Sequence, residues 1–229
     1  VESFRSMRNP LAALQKSEKR IWLNEQQEQA FQAFAADWDL GRRGTYLLYG
    51  VTGSGKTQVY MEMIAKVLSQ GKEAIVLIPE ISLTYQTVMR FYSRFGDQVS
   101  ILNSRMSAGE RSDQFERAKE EKVRIMVGPR SALFTPFPNL GLIVIDEEHE
   151  SSYKSETVPK YHARETAVER ARLSSASVVL GSATPSLEAF SRAKRGEYSL
   201  LSLPSRVENR ALPDCQIVDL REELREGNR

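Results

Sequence analysis

Residues 45–69 read TYLLYGVTGSGKTQVYMEMIAKVLS, and the order of residue types in that stretch decides the architecture. The first five are apolar and rich in residues that favour an extended chain, so they predict a short buried strand. GVTGSGKT follows at 50–57, a complete G-x-x-x-x-G-K-T pattern whose glycines permit a backbone curl that side chains would block. From residue 57 to 69 the apolar positions return at spacings of three and four, the period of an amphipathic helix. Strand, glycine-rich loop and helix in this order form the start of an α/β fold.

Working outward, the alternation continues. Before the strand, Asn24 caps a predicted helix whose apolar residues Ala30, Phe31, Phe34 and Trp38 recur before Gly41 and Gly44 end it. After it, strands are predicted at 74–78, 99–102, 123–127, 142–145 and 178–180, and helices at 82–95, 109–120, 163–173 and 186–195. Such alternation implies a mostly parallel sheet with helices on both faces. Three regions follow: 1–19 as a linker or the tail of an upstream region, 20–196 as the α/β lobe, and 197–229 as a connection toward a further lobe. The opening Val1 and the charged final stretch DLREELREGNR suggest an excised piece of a longer protein.

Composition narrows the function. Lys and Arg number 32 against 30 Asp and Glu, a net charge of +2 too small to signal a polyanionic partner, so any nucleic-acid surface must be local. A lone cysteine, Cys215, excludes an internal disulfide framework and a cysteine-built zinc site within this chain. The longest apolar runs, such as LGLIVI at 140–145, fall far short of the ~20 residues that span a bilayer. The expectation is a protein of the cytoplasm with no membrane partner.

The chemistry sits in two loops. Gly50, Val51, Thr52, Gly53, Ser54 and Gly55 present successive N–H groups that can cradle phosphates, beside the positive end of the following helix. Lys56 would reach the β- and γ-phosphates of ATP, and the Thr57 hydroxyl would ligate Mg²⁺. Residues 142–149 read LIVIDEEH, a buried strand followed at once by three carboxylates and an imidazole. Asp146 is placed to hold Mg²⁺ and Glu147 to orient or deprotonate the attacking water, which makes Lys56, Asp146 and Glu147 the candidate catalytic residues. His149 reads either as a sensor of bound DNA or as a capping histidine.

With GSATP at 181–185, this ordered set resembles the motif series of superfamily 2 helicases. IPEISLT at 78–84, GPRSALF at 128–134, DEEHESSYK at 146–154, YHARETA at 161–167 and LGSATPSLE at 180–188 narrow the resemblance to the first RecA-like motor lobe of the replication-restart (PriA) family. The similarity covers about residues 23–188. It implies an ATP hydrolase and 3′ to 5′ DNA helicase that acts in replication fork restart and primosome assembly in bacteria. The isolated stretch is expected to be weak or inactive as an ATPase, because a second lobe must supply arginine fingers.

Residue by residue, the resemblance places Gln27 against the adenine edge, with Leu23 and Asn24 beside it. Arg130 and Ser131 fall in a segment that touches the single-strand backbone. Tyr153 and Tyr161 offer stacking faces in the family's aromatic-rich loop, with Lys154, His162 and Arg164 beside them, and Ser182 and Thr184 couple nucleotide state to the DNA path. Implied cofactors are ATP and Mg²⁺, with zinc only in the full-length family. Implied partners are single-stranded and forked DNA, primosome proteins and single-strand-binding proteins. Oligomeric state stays open, with a monomer as the working expectation. One departure is Asn103 and Ser104 in place of a His-Ser pair common in the family.

Overall fold

A computed structural model describes residues 7–11 and 22–207. Its elements run in the order α1 (Glu25–Asp39), β1 (Thr45–Gly50), α2 (Lys56–Ser69), β2 (Glu73–Leu77), α3 (Tyr85–Phe95), β3 (Val99–Ile101), α4 (Ala108–Lys119), β4 (Ile125–Gly128), β5 (Leu140–Ile145), α5 (Ala163–Ser174), β6 (Ser177–Ser182), α6 (Leu187–Lys194) and β7 (Ser199–Leu203). The seven strands form one sheet in the order β3-β4-β2-β5-β6-β1-β7, and every pair is parallel.

Burial on both faces explains why the central strands read as unbroken apolar runs. Because side chains alternate across a strand, Ala74 and Val76 of β2 and Leu142 and Val144 of β5 pack under α1, α2 and α3. Their neighbours Ile75, Leu77, Ile143 and Ile145 face the other way, against Ala118 of α4, Ala163, Ala167 and Ala171 of α5 and Ala189 of α6. Alanine on those helices lets their axes lie close to the sheet. A side chain on Gly141 would collide with Val67 and Lys72, so α2 also approaches β5 closely.

The α/β architecture and the helices on both faces match the sequence reading, and the sheet is wholly rather than mostly parallel. Two differences are instructive. The helix expected from residue 82 starts at Tyr85, because Thr84 caps it through the Thr87 N–H and a 3-10 turn, Glu80–Ser82, precedes it. The sheet also continues past residue 196: β7 pairs with β1 along its length and buries Leu201 and Leu203. Its alternation is only five residues long and follows a charged turn, too little for periodicity to register.

Residues 7–11 dock on α4. Arg8 Nε donates to Asp113 at 2.8 Å, Gln114 donates to the Arg8 carbonyl, and Leu11 enters the core. The expectations for residues 1–6 and 12–19, for Cys215 and for 208–229 lie outside the described residues. Among the described residues no helix is long and apolar enough to cross a membrane.

Strand order positions the site. β5, β6 and β1 are neighbours, so the segments leaving their carboxyl ends meet: 146–149 from β5, 182–184 from β6 and the glycine-rich loop from β1. Segments 78–84 and 128–134 leave β2 and β4 at the same edge. Open α/β sheets bind ligands at this edge.

Candidate functional site

The glycine-rich loop has the form its sequence requires. Gly53 and Gly55 hold φ of 81° and 82°, values a side chain strongly disfavours, and Gly55 serves as N-cap of α2 with no side chain to satisfy the first N–H groups. Those donors are open to an anion. Ser54 Oγ is buried with no hydrogen-bond partner among the described residues. A cradle of donors with an orphaned hydroxyl inside it fits a polyphosphate.

Lys56 is buried, donates to the Gly50 carbonyl at 3.0 Å and lies 3.7 Å from Glu147. Gln27 is buried beside the loop: its amide N–H donates to the Ser54 carbonyl at 2.8 Å, and its Oε1 accepts from the Asn24 N–H at 2.9 Å. This capping box holds both polar ends of the amide. The expected position beside the nucleotide loop is met, while the Oε1 that would read adenine is taken by the helix cap.

Tyr60 links three of the motifs. From α2 its buried hydroxyl donates to Asp146 Oδ1 at 3.1 Å, and a side chain on Gly181 would overlap that hydroxyl. The glycine of GSATP is therefore needed to let α2 reach the aspartate after β5, a packing role that no motif in the sequence signals. Burial, with repulsion from Glu147, pushes the Asp146 carboxyl up to about 6, and the Tyr60 hydrogen bond partly offsets the rise. Such a carboxylate gains from a cation. Thr57 and Asp146 line one cavity, so the hydroxyl and carboxylate expected to hold Mg²⁺ do face common space. Among the described residues no cluster of three or more acidic, histidine or cysteine ligands exists, and the hard oxygen pair fits Mg²⁺, which keeps most of its waters.

Glu147 adopts φ of 47°, in the left-handed region that is strained for a residue with a side chain. Its half-buried carboxylate faces both Lys56 and His149. His149 Nδ1 lies 2.8 Å from Ser182 Oγ and its Nε2 lies 3.4 Å from Thr184 Oγ1, so one imidazole spans the segments leaving β5 and β6. His149 is the cap of no helix among the described residues.

The aromatic loop departs from expectation. Tyr153 is buried and its hydroxyl donates to the Asp146 carbonyl at 2.7 Å, so its ring offers no face to a base in this arrangement. Arg164 is buried too: Nη1 donates to Glu148 at 2.9 Å and Nε to Glu165 at 3.0 Å. Glu148 also accepts from the Ser186 N–H at 2.6 Å, which ties the start of α5 to the start of α6. An arginine holding a buried carboxylate is not available to a phosphate. Arg130 donates to the carbonyls of Ser152 and Lys154 and so braces the loop from 128–134.

What remains exposed is different. Tyr161 is half-buried, edge to face with the exposed Phe134 at 5.3 Å between ring centroids. Lys154 is exposed and paired with Glu156, and Lys160 is exposed. His162 caps α5, its Nδ1 accepting from the Arg164 N–H, and burial lowers its pKa. Ser131 lies in the turn Arg130–Phe134. Asn103 Oδ1 accepts from the Arg105 N–H and so shapes its own turn.

Fold and motif order together define a RecA-like helicase lobe. A family profile described as DEAD/DEAH box helicase matches residues 24–192, and the chain belongs to that family. It is 53% identical over 214 residues to the replication restart protein PriA of Bacillus subtilis, covering 93% of this chain and 27% of that protein. The PriA of Haemophilus influenzae is 40% identical over 231 residues, covering 96% of this chain and 31% of that protein. The chain thus spans about a quarter to a third of the length of these relatives. Among solved structures, RecG bound to a three-way DNA junction superposes with a TM-score of 0.62 at 20% identity, covering 84% of this chain and 25% of that one, which supports the fold.

Proposed function

We propose that this chain is the ATP-binding lobe of a DNA helicase motor that moves 3′ to 5′ on single-stranded DNA and restarts stalled replication forks. The observation that carries the reading is the meeting, at one sheet edge, of an anion cradle, a lysine, a raised aspartate and a strained glutamate. An imidazole there also bridges to the segment after β6. Relatives named for replication restart, at up to 53% identity, support the biological setting.

In this mechanism the loop N–H groups hold the phosphates and Lys56 moves from the Gly50 carbonyl to the β- and γ-oxygens. Thr57 and Asp146 would hold Mg²⁺, which when bound would neutralise phosphate charge. Glu147 orients a water and takes its proton as the water oxygen bonds to the γ-phosphorus and the bond from that phosphorus to the β–γ bridging oxygen breaks, giving ADP and inorganic phosphate. Its strained backbone and the charge of Lys56 keep the carboxylate aimed into the cleft. His149 reports the phosphate state to Ser182 and Thr184. A second lobe from elsewhere in the protein closes the cleft and supplies arginines. DNA passes over 78–84, 128–134 and the Phe134–Tyr161 pair. The whole protein works in the bacterial cytoplasm with primosome and single-strand-binding proteins.

The test is polarity. The whole protein should displace an oligonucleotide from a duplex with a 3′ single-stranded tail on the tracking strand in the presence of ATP. Displacement only from 5′-tailed duplexes would reject the direction, and no ATP dependence would reject the motor.

A further inference from the structure

The cavity that Thr57 and Asp146 face, of about 130 Å³, extends between α2, β2 and α3. About 10–15 Å³ of such space admits one water, so the cavity has room for a tetrahedral oxyanion with several waters. Its inner end is formed by Thr57, Tyr60 and Asp146, and its walls include the apolar Val76, Ile78 and Phe91. At its outer end stands Arg90, a solvent-exposed residue of α3 and the sole cationic residue in the lining. No hydrogen bond or ion pair ties that guanidinium to another described residue, although Arg94, one turn further along, is paired with Glu62 at 2.7 Å.

A cavity lined at one end by the proposed metal ligands Thr57 and Asp146 and at another by an unpaired arginine suits one task. We propose that it is the route by which inorganic phosphate leaves after hydrolysis, with Arg90 drawing the anion outward. The inference rests on the reading of this site as an ATPase. Between its ends the lining is Val76, Ile78 and Phe91 with the hydroxyl residues Ser82 and Thr87 and no second cation, so phosphate passes rather than accumulates. A cation at the mouth of a low-dielectric passage focuses the field along it.

The experiment follows one turnover of ATP by the whole protein on single-stranded DNA. Hydrolysis is read by chemical quench, free phosphate by a fluorescent phosphate-binding sensor, and the variants are Arg90→Lys, Arg90→Ala and Arg90→Glu. Hydrolysis should proceed at the same rate in all four proteins. The lag between hydrolysis and free phosphate should be unchanged in Arg90→Lys and lengthened about tenfold in Arg90→Glu at low ionic strength, with Arg90→Ala between, and should shrink as salt is added. Narrowing the mouth with Thr87→Leu should lengthen the lag without reversing any charge.

An unchanged lag in Arg90→Glu and Thr87→Leu would overturn the proposal. So would an unchanged lag accompanied by a higher DNA concentration for half-maximal stimulation, which would assign Arg90 to the DNA backbone. Absence of hydrolysis in the unsubstituted protein would instead remove the ATPase reading, and with it any cargo for the passage.

Discussion

The glycine-rich loop after β1 and the aromatic loop before α5 stand at the same edge of the sheet, and both carry residues whose types suggest ligand contact. In the first, the backbone itself is the instrument: Gly55 caps α2 with no side chain on its first N–H groups, and the Ser54 hydroxyl has no partner among the described residues. In the second, the most chemically suggestive side chains are already taken. Tyr153 is tied to the Asp146 carbonyl and Arg164 to Glu148, while the half-buried Tyr161, beside Phe134 of the neighbouring turn, and the flanking lysines stay accessible. A motif built on backbone conformation announces its geometry through glycine, whereas a motif built on side chains says nothing about which way they point.

Arg164→Ala should give the largest effect that separates these two kinds of loop. It leaves Glu148 buried without its partner, and the loss of one member of a buried pair typically costs about 3–5 kcal/mol. Urea denaturation should show that loss. A DNA contact would instead leave stability intact and weaken DNA binding alone, and that outcome would restore the resemblance-based assignment.

The two tyrosines should behave oppositely. Tyr161→Ala should weaken single-strand binding by about 1–3 kcal/mol, the usual worth of one base stacked on an aromatic ring, with little loss of stability. Tyr153→Phe should leave DNA affinity alone and destabilise the fold by about 1 kcal/mol through the lost hydrogen bond to Asp146. Titration of single-stranded DNA into each protein, paired with thermal melts, checks both. Equal losses of DNA affinity would collapse the distinction between the buried and exposed halves of the loop.

A smaller, pH-dependent effect sharpens the account of Asp146. Its folded pKa of about 6 lies above its ordinary value of 3.8. Between those values the folded chain keeps a proton that the unfolded chain has released. This group therefore makes stability fall as pH rises through that window, and the destabilisation is complete above it. Asp146→Asn should flatten this part of the profile in metal-free urea titrations, and Mg²⁺ should restore stability to the parent above about pH 6 but not to the variant. A parent profile rising through the same window, with the variant matching it, would contradict the raised value.

Much of this was legible in the sequence because parallel strands buried on both faces leave continuous apolar runs, and because GVTGSGKT and LIVIDEEH each combine an element with its loop. The short strand β7 was not, since five residues with two buried leucines carry little periodic signal. Nor was the Tyr60–Gly181 contact, which joins residues 121 positions apart through a missing side chain. Glu148 read as one of three acids after a strand, yet burial makes it a structural anchor while Asp146 and Glu147 face the cleft. Sequence spacing placed all three at the sheet edge, and only packing sorted them.

The most direct test of the central claim is ATP turnover by the whole protein with and without single-stranded DNA, comparing the parent with Glu147→Gln. The account predicts DNA-stimulated turnover in the parent and a loss of at least about a hundredfold in the variant, with ATP binding retained. Turnover that ignores DNA, or that survives the substitution, would contradict it.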